Sequence, residues 1–142
     1  MKEITGDLWD HLGCAVIAIT TCGQLSKKGE VLMLRGCAKQ ARERFPGLPA
    51  RLGALIGQGG NRVYALGDGL VSFPVEEGAF DLPGLARIER SCRELVELSD
   101  ERGWREILVP RPGCGGGGLS WQEVGPILRR HFDDRFRVIH PG

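Results

Sequence analysis

Glu106-Ile107-Leu108-Val109-Pro110, running into Arg111-Pro112-Gly113-Cys114-Gly115-Gly116-Gly117-Gly118-Leu119-Ser120, is the stretch that decides the fold. Its first half is a short apolar, β-branched run of the kind buried on both faces of a sheet. Its second half has almost no side chains. Ser120 and Glu123 then fit the S-x-x-E capping box, which opens a helix through Trp121, Val124, Ile127, Leu128 and His131. Strand, glycine loop and capped helix in succession are the unit of an α/β protein. Working outward, Cys14 to Thr20 reads as a second buried strand and Gly36 to Phe45 as a helix that breaks at Pro46-Gly47. Pro49 to Ile56 reads as a second helix. Arg62 to Leu66 and Leu70 to Val75 are strands about the turn Gly67-Asp68-Gly69. Pro83 to Arg102 is the longest helix, with Leu85, Ile88, Cys92, Leu95 and Val96 as its apolar stripe, Pro83 in its first turn and Asp81 as its cap. Phe136 to Ile139 is the last strand. These elements predict one domain over residues 1–142, a three-layer α/β/α sandwich with a central mixed sheet.

The 142 residues include 22 glycines, and five of them fall between Gly113 and Gly118, so the excess is concentrated in one loop. With 42% hydrophobic and 26% charged residues the chain can bury a core and is not a disordered sequence. The longest apolar run, Ala15 to Ile19, is far too short to span a bilayer, and the N-terminus lacks the pattern of a secretory signal, which predicts no membrane partner and a cytoplasmic protein. Cys14, Cys22, Cys37, Cys92 and Cys114 form no C-x-x-C pair and read as reduced thiols. The 19 basic and 18 acidic residues give a formal charge of +1, which carries no strong signal for duplex nucleic acid. His11, His131 and His140 lack metal-ligand spacing, so neither a metal nor a cofactor is expected.

In an open α/β sheet, ligands lie beyond the carboxyl ends of the strands, where helix N-termini offer free N–H groups. The glycine loop occupies that position, and backbone stripped of side chains can approach a phosphate closely. Gly113, Gly115 and Gly118 fit G-x-G-x-x-G, but the 24 residues after Gly118 fall short of the further half of a dinucleotide fold. Leu119-Ser120 in place of Lys-Ser/Thr excludes a Walker loop. Cys114 is not followed by the nearby arginine that a phosphate-cradling cysteine nucleophile needs, and reads as a small packed thiol. Three other stretches bear on a ligand. Asp7, in Gly6-Asp7-Leu8 after a first short strand, can accept from an exocyclic amine while the next N–H donates to the ring. Thr20-Thr21-Cys22 puts polar groups at a strand end, and Arg35-Gly36-Cys37-Ala38 opens a helix as a second diphosphate site.

Gly6-Asp7-Leu8, Leu34-Arg35-Gly36-Cys37-Ala38 and Pro112-Gly113-Cys114-Gly115 with Leu119-Ser120-Trp121 together resemble the macro domain, an ADP-ribose-binding family. Arg44-Phe45-Pro46-Gly47-Leu48, Leu52-Gly53 and Val71-Ser72-Phe73-Pro74-Val75 are similar to its small stand-alone bacterial and phage members and to the branch with the terminal ADP-ribose glycohydrolase. The resemblance covers nearly the whole chain. It implies that Asp7 and Leu8 take the adenine, and that Arg35, Gly36, Cys37 and Ala38 form one phosphate loop. Gly113, Cys114, Gly115, Gly116, Gly117 and Gly118, with Pro112 and Leu119 flanking them, would form the other. Thr20, Thr21, Cys22, Phe73, Pro74 and Val75 would lie toward the distal ribose. The partner implied is ADP-ribose, free or on protein or nucleic acid.

The sequence departs from that pattern where the related hydrolases carry their chemistry. Glu76-Glu77 stands where they have a lysine, Gly117 where they have an aspartate, and Thr20-Thr21-Cys22-Gly23 where many members have asparagines. A carboxylate cannot form the Schiff-type intermediate open to an amine. Glu76 and Glu77 are candidates to activate water as a general base. The plainer reading is that both are solvated loop carboxylates, since like charges so close are costly to bury. Three functions are thus set out: binding of ADP-ribose or ADP-ribosylated macromolecules, glycohydrolysis of that modification, and a nucleic-acid or protein interaction module that has lost the ligand.

Overall fold

Alternating apolar residues in the strands settle the layering. In the computed structural model, which describes residues 1–142, the strands are β1 (Lys2–Thr5), β2 (Val16–Thr21), β3 (Ala65–Gly67), β4 (Leu70–Pro74), β5 (Ile107–Pro110) and β6 (Phe136–His140). The helices are α1 (Gly36–Arg44), α2 (Leu48–Gly59), α3 (Leu85–Arg102) and α4 (Trp121–His131), with a 3-10 turn over Leu8–His11. Along β2, Ile17 and Ile19 point to one face and pack with Leu48 and Leu52 of α2. Ala18 points to the other face and joins Val71, Phe73, Ile88, Leu95 and Val124, from β4, α3 and α4. Helices therefore cover both faces of the sheet, the predicted α/β/α sandwich.

The strand order is β1-β6-β5-β2-β4-β3, with every neighbouring pair parallel except β3 with β4, so the sheet is mixed as expected. After β2 the chain moves through α1 and α2 toward β4. After β5 it moves through α4 toward β6, the opposite way. The order reverses between β2 and β5, which opens a crevice at their carboxyl ends.

Four element boundaries differ from the sequence reading by two residues or more: α2 runs on past Ile56 to Gly59, and three others move for a local reason. Arg62 to Tyr64 are not strand: the Val63 N–H donates to Glu94 and the Tyr64 N–H to the Ser72 hydroxyl, so side chains replace the ladder there. The long helix starts at Leu85, not Pro83, because Asp81 instead accepts from the Gly78 N–H at 2.8 Å and Gly84 takes the cap position. Cys14 and Ala15 form a turn before β2, in which both N–H groups donate to the His11 carbonyl.

Candidate functional site

A cleft of about 270 Å³ lies at the β2–β5 switch point. Its lining comes from four places. Thr20, Thr21 and Cys22 close β2; Arg35, Gly36, Cys37 and Ala38 open α1; Val75, Glu76, Ala79 and Pro83 follow β4; Pro110, Arg111, Gly113, Gly115, Gly116 and Gly117 follow β5. Two sequence segments read separately as phosphate loops thus face one another across a single opening.

The α1 end is a free helix N-terminus, since Arg35 at its cap position makes no side-chain capping bond and leaves the first N–H groups available. The N-terminus of α4 behaves differently. The Ser120 hydroxyl accepts from the Glu123 N–H at 3.2 Å and Glu123 answers at the Ser120 N–H, the predicted capping box. That box occupies the Ser120 and Glu123 N–H groups, and the cleft lining stops at Gly117, short of the helix. The helix dipole acting on the cleft is that of α1 rather than α4.

Within the glycine loop the residues split by role. A Cβ on Gly113, whose φ is +72°, would meet Leu119 Cδ1 at 2.8 Å, and one on Gly117 would meet Pro83 Cγ at 2.6 Å and the Gly113 carbonyl oxygen at 2.7 Å. Both positions are closed by the fold. A Cβ on Gly115 or Gly116 meets nothing within 4 Å, and these two line the cleft. Leu119 and Pro112 stand behind the loop: the Leu119 N–H donates to the Gly113 carbonyl and its side chain packs on the core, while Pro112 is buried. Gly118 and Cys114 also lie outside the lining, and burial pushes the Cys114 thiol up, away from thiolate chemistry.

Cys37 ties the two sides of the β2–α1 junction. Its sulfur accepts from the Thr20 N–H at 3.4 Å and lies 3.2 Å from the Thr20 hydroxyl. Thr21 Oγ1 is buried and has no hydrogen-bond partner in the protein. Phe73 and Pro74, expected beside a distal ribose, are buried, and Phe73 is fully enclosed in the core on the α3 side, so neither reaches the cleft. Leu8 is likewise a core residue. Asp7 is exposed at the end of β1, where its Oδ1 accepts from the Trp9 N–H at 3.0 Å. Two strand spacings separate β1 from β5, about 10 Å beyond the glycine-loop side of the cleft.

The two glutamates separate. Glu77 is solvated, with its side chain 68% exposed. Glu76 is not the solvated carboxylate expected: its side chain is 12% exposed, lines the cleft, and lies 3.9 Å from Arg35 Nη2. Burial pushes its carboxyl above the usual range, Arg35 opposing and Asp81 adding to the shift.

Sequence reasoning missed the residues that hold this loop. Asn61 Nδ2 donates to the Glu76 carbonyl at 3.1 Å, Arg87 Nη1 donates to the Asn61 carbonyl at 2.9 Å, and Gln24 Oε1 accepts from the Ala79 N–H at 2.8 Å. No local pattern marks them, because their partners lie 15 to 55 residues away.

This six-stranded sheet, its helices on both faces and a cleft at the switch point define the macrodomain fold, and solved macrodomains superpose on it. The macrodomain of Mycobacterium tuberculosis DarG matches with a TM-score of 0.79 at 24% identity, covering 99% of this chain and 97% of that one. Thermosipho africanus DarTG, solved in complex with ADP-ribose, matches with a TM-score of 0.79 at 19% identity over 97% of this chain and 41% of that one. The macrodomain of Thermus aquaticus DarG gives 0.77 at 20% identity over 98% and 96%. In sequence, 60 residues are 35% identical to a DNA ADP-ribosyl transferase–DNA ADP-ribosyl glycohydrolase fusion protein of Thermosipho africanus, a stretch that is 42% of this chain and 16% of that protein. No protein-family model matches the chain. No helix is long and apolar enough to cross a membrane.

Proposed function

We propose that this chain binds ADP-ribose, free or attached to a macromolecule. The observation that carries the reading is the pairing, across one cleft, of an uncapped helix N-terminus (Arg35 to Ala38) with a backbone-only loop (Gly113 to Gly117). Together they offer N–H groups from two sides to a diphosphate. The ADP-ribose complex of the similarly folded DarTG supports the choice of ligand. Asp7, some 10 Å along the strand ends, takes the adenine amine through the carboxylate, with the Leu8 backbone beside it. Thr20, Thr21, Cys22 and Val75 surround the distal ribose, while Phe73, Pro74, Pro112 and Leu119 act through the backbone they hold in place. A cytoplasmic location fits five unpaired thiols.

Isothermal titration with ADP-ribose, with AMP as comparator, tests the reading. ADP-ribose binds and AMP, lacking the second phosphate and ribose, binds more weakly; no heat at millimolar ADP-ribose rejects it. Asp7→Ala lowers affinity roughly tenfold, the worth of one hydrogen bond to a charged group.

A second reading, removal of the ADP-ribosyl group, is favoured by the placement of Glu76 inside the cleft. Here the substrate class follows the glycohydrolase named in the fusion protein, ADP-ribosylated DNA.

A further inference from the structure

Among the residues lining the cleft, Glu76 is the single carboxylate, and neither histidine nor lysine accompanies it. Its backbone is fixed from three directions. The Val75 N–H donates to the Thr21 carbonyl at 3.0 Å, Asn61 Nδ2 donates to the Glu76 carbonyl at 3.1 Å, and the Gly23 N–H donates to the Glu77 carbonyl at 2.8 Å. The same contacts lay the end of β2 beside the residues after β4, so Thr21 and Glu76 belong to adjacent segments of the cleft wall. There Thr21 keeps a buried hydroxyl with no partner, and an unmade hydrogen bond of that kind is costly unless a ligand or water completes it. Arg35, the residue at the N-cap of α1, brings its Nη2 to 3.9 Å from Glu76 Oε2. That guanidinium offsets the repulsion between the carboxylate and a diphosphate seated at the α1 N-terminus, so Glu76 can share the cleft with an anionic ligand.

We propose that Glu76 is a catalytic residue, the general base that takes a proton from the water attacking the anomeric carbon of a nucleobase-linked ADP-ribosyl group, with the Thr21 hydroxyl hydrogen-bonded to that ribose. This rests on the ADP-ribose reading and on its hydrolytic form. The water oxygen forms a bond to the anomeric carbon as the bond from that carbon to the base nitrogen breaks. The bonding pair leaves on the nitrogen, and the proton held by Glu76 passes to it. The unmodified base, still part of its nucleic acid, and ADP-ribose result, Glu76 returns to a carboxylate, and no redox partner is needed. A desolvated carboxylate suits both halves of this cycle, because it holds a proton more readily than a solvated one. The charged and titratable groups facing it are Arg35 from the start of α1, Cys22 from the end of β2, and Asp81 from its own loop.

The test uses an oligonucleotide mono-ADP-ribosylated on a base, and a peptide mono-ADP-ribosylated on a glutamate as the competing substrate. Glu76→Gln slows release from the oligonucleotide by about 10²–10⁴-fold while ADP-ribose affinity in titration stays within a few-fold. Glu77→Gln releases at the wild-type rate. The wild-type rate falls with acid through an ionisation above the ordinary carboxylate range, a measurement that needs no variant. Release by Glu76→Gln at the wild-type rate, a wild-type profile flat through the acid range, or release from the peptide alone overturns the proposal. So does a wild-type protein that binds ADP-ribose and releases nothing, which leaves the binding reading intact. Failure to bind ADP-ribose at all overturns the binding reading itself.

Discussion

Gly116 and Gly117 are neighbours with opposite reasons to be glycine. At Gly117 a side chain has no room, since Pro83 and the Gly113 carbonyl already occupy the site of its Cβ. At Gly116 nothing lies within 4 Å, and the residue is an exposed part of the cleft lining. Gly116→Val should therefore melt within a few degrees of the parent protein and lose ADP-ribose affinity by tenfold or more. A variant that binds normally would remove the glycine loop from the ligand site. Gly117→Val, by contrast, should lower the melting temperature itself, through a close contact the fold cannot absorb. The sequence supplied the loop but not this division, because the residues that fill Gly113 and Gly117, Pro83 and Leu119, are brought there by other elements. Glu76 shows the same limit. Two adjacent glutamates look alike in sequence, and only the turn after β4 sends one into the cleft and the other to solvent.

At the scale of elements, what decides binding is which helix end is free. The Ser120–Glu123 box was legible from spacing alone, yet it engages the Ser120 and Glu123 N–H groups internally, and α4 begins beyond Gly117, where the cleft lining ends. Ser120→Ala should accordingly cost about 1 kcal/mol of stability, read by urea denaturation, with ADP-ribose affinity unchanged. A parallel loss of affinity would mean that α4, not α1, supplies the dipole. The strand β4 makes a similar point. Leu70 to Val75 was readable as a strand from its apolar run, but which side faces a ligand was not, since a strand buried on both faces carries no polar alternation to mark one. The observed register, Thr20 beside Phe73 and Thr21 beside Pro74, buries Phe73 under α3. Phe73→Ala should then cost about 3–5 kcal/mol, a loss of fold rather than of a ligand contact, detectable as a lowered denaturation midpoint.

For the molecule as a whole, the cleft is where the two helical layers meet across the end of the sheet. One wall, Arg35 to Ala38, begins α1 on the face packed around Ile17 and Ile19. The other wall, Arg111 to Gly117, leads into α4 on the face packed around Ala18 and Phe73. A ligand bonded to both walls is linked to global unfolding rather than to the closing of one loop, because neither wall persists without its own core. At a free ligand concentration one hundred times its dissociation constant, such linkage adds about 2.7 kcal/mol. For a chain of this size that raises the melting temperature by about 5–10 °C. AMP at the same concentration should shift it less, since it lacks the second phosphate and the distal ribose that would engage the walls. Amide exchange slowed by ADP-ribose at residues 20–22, 35–38 and 113–117 together would show both walls engaged. Slowing confined to one of these segments would mean that the ligand sits on a single layer and that the opposed glycine loop serves only the fold.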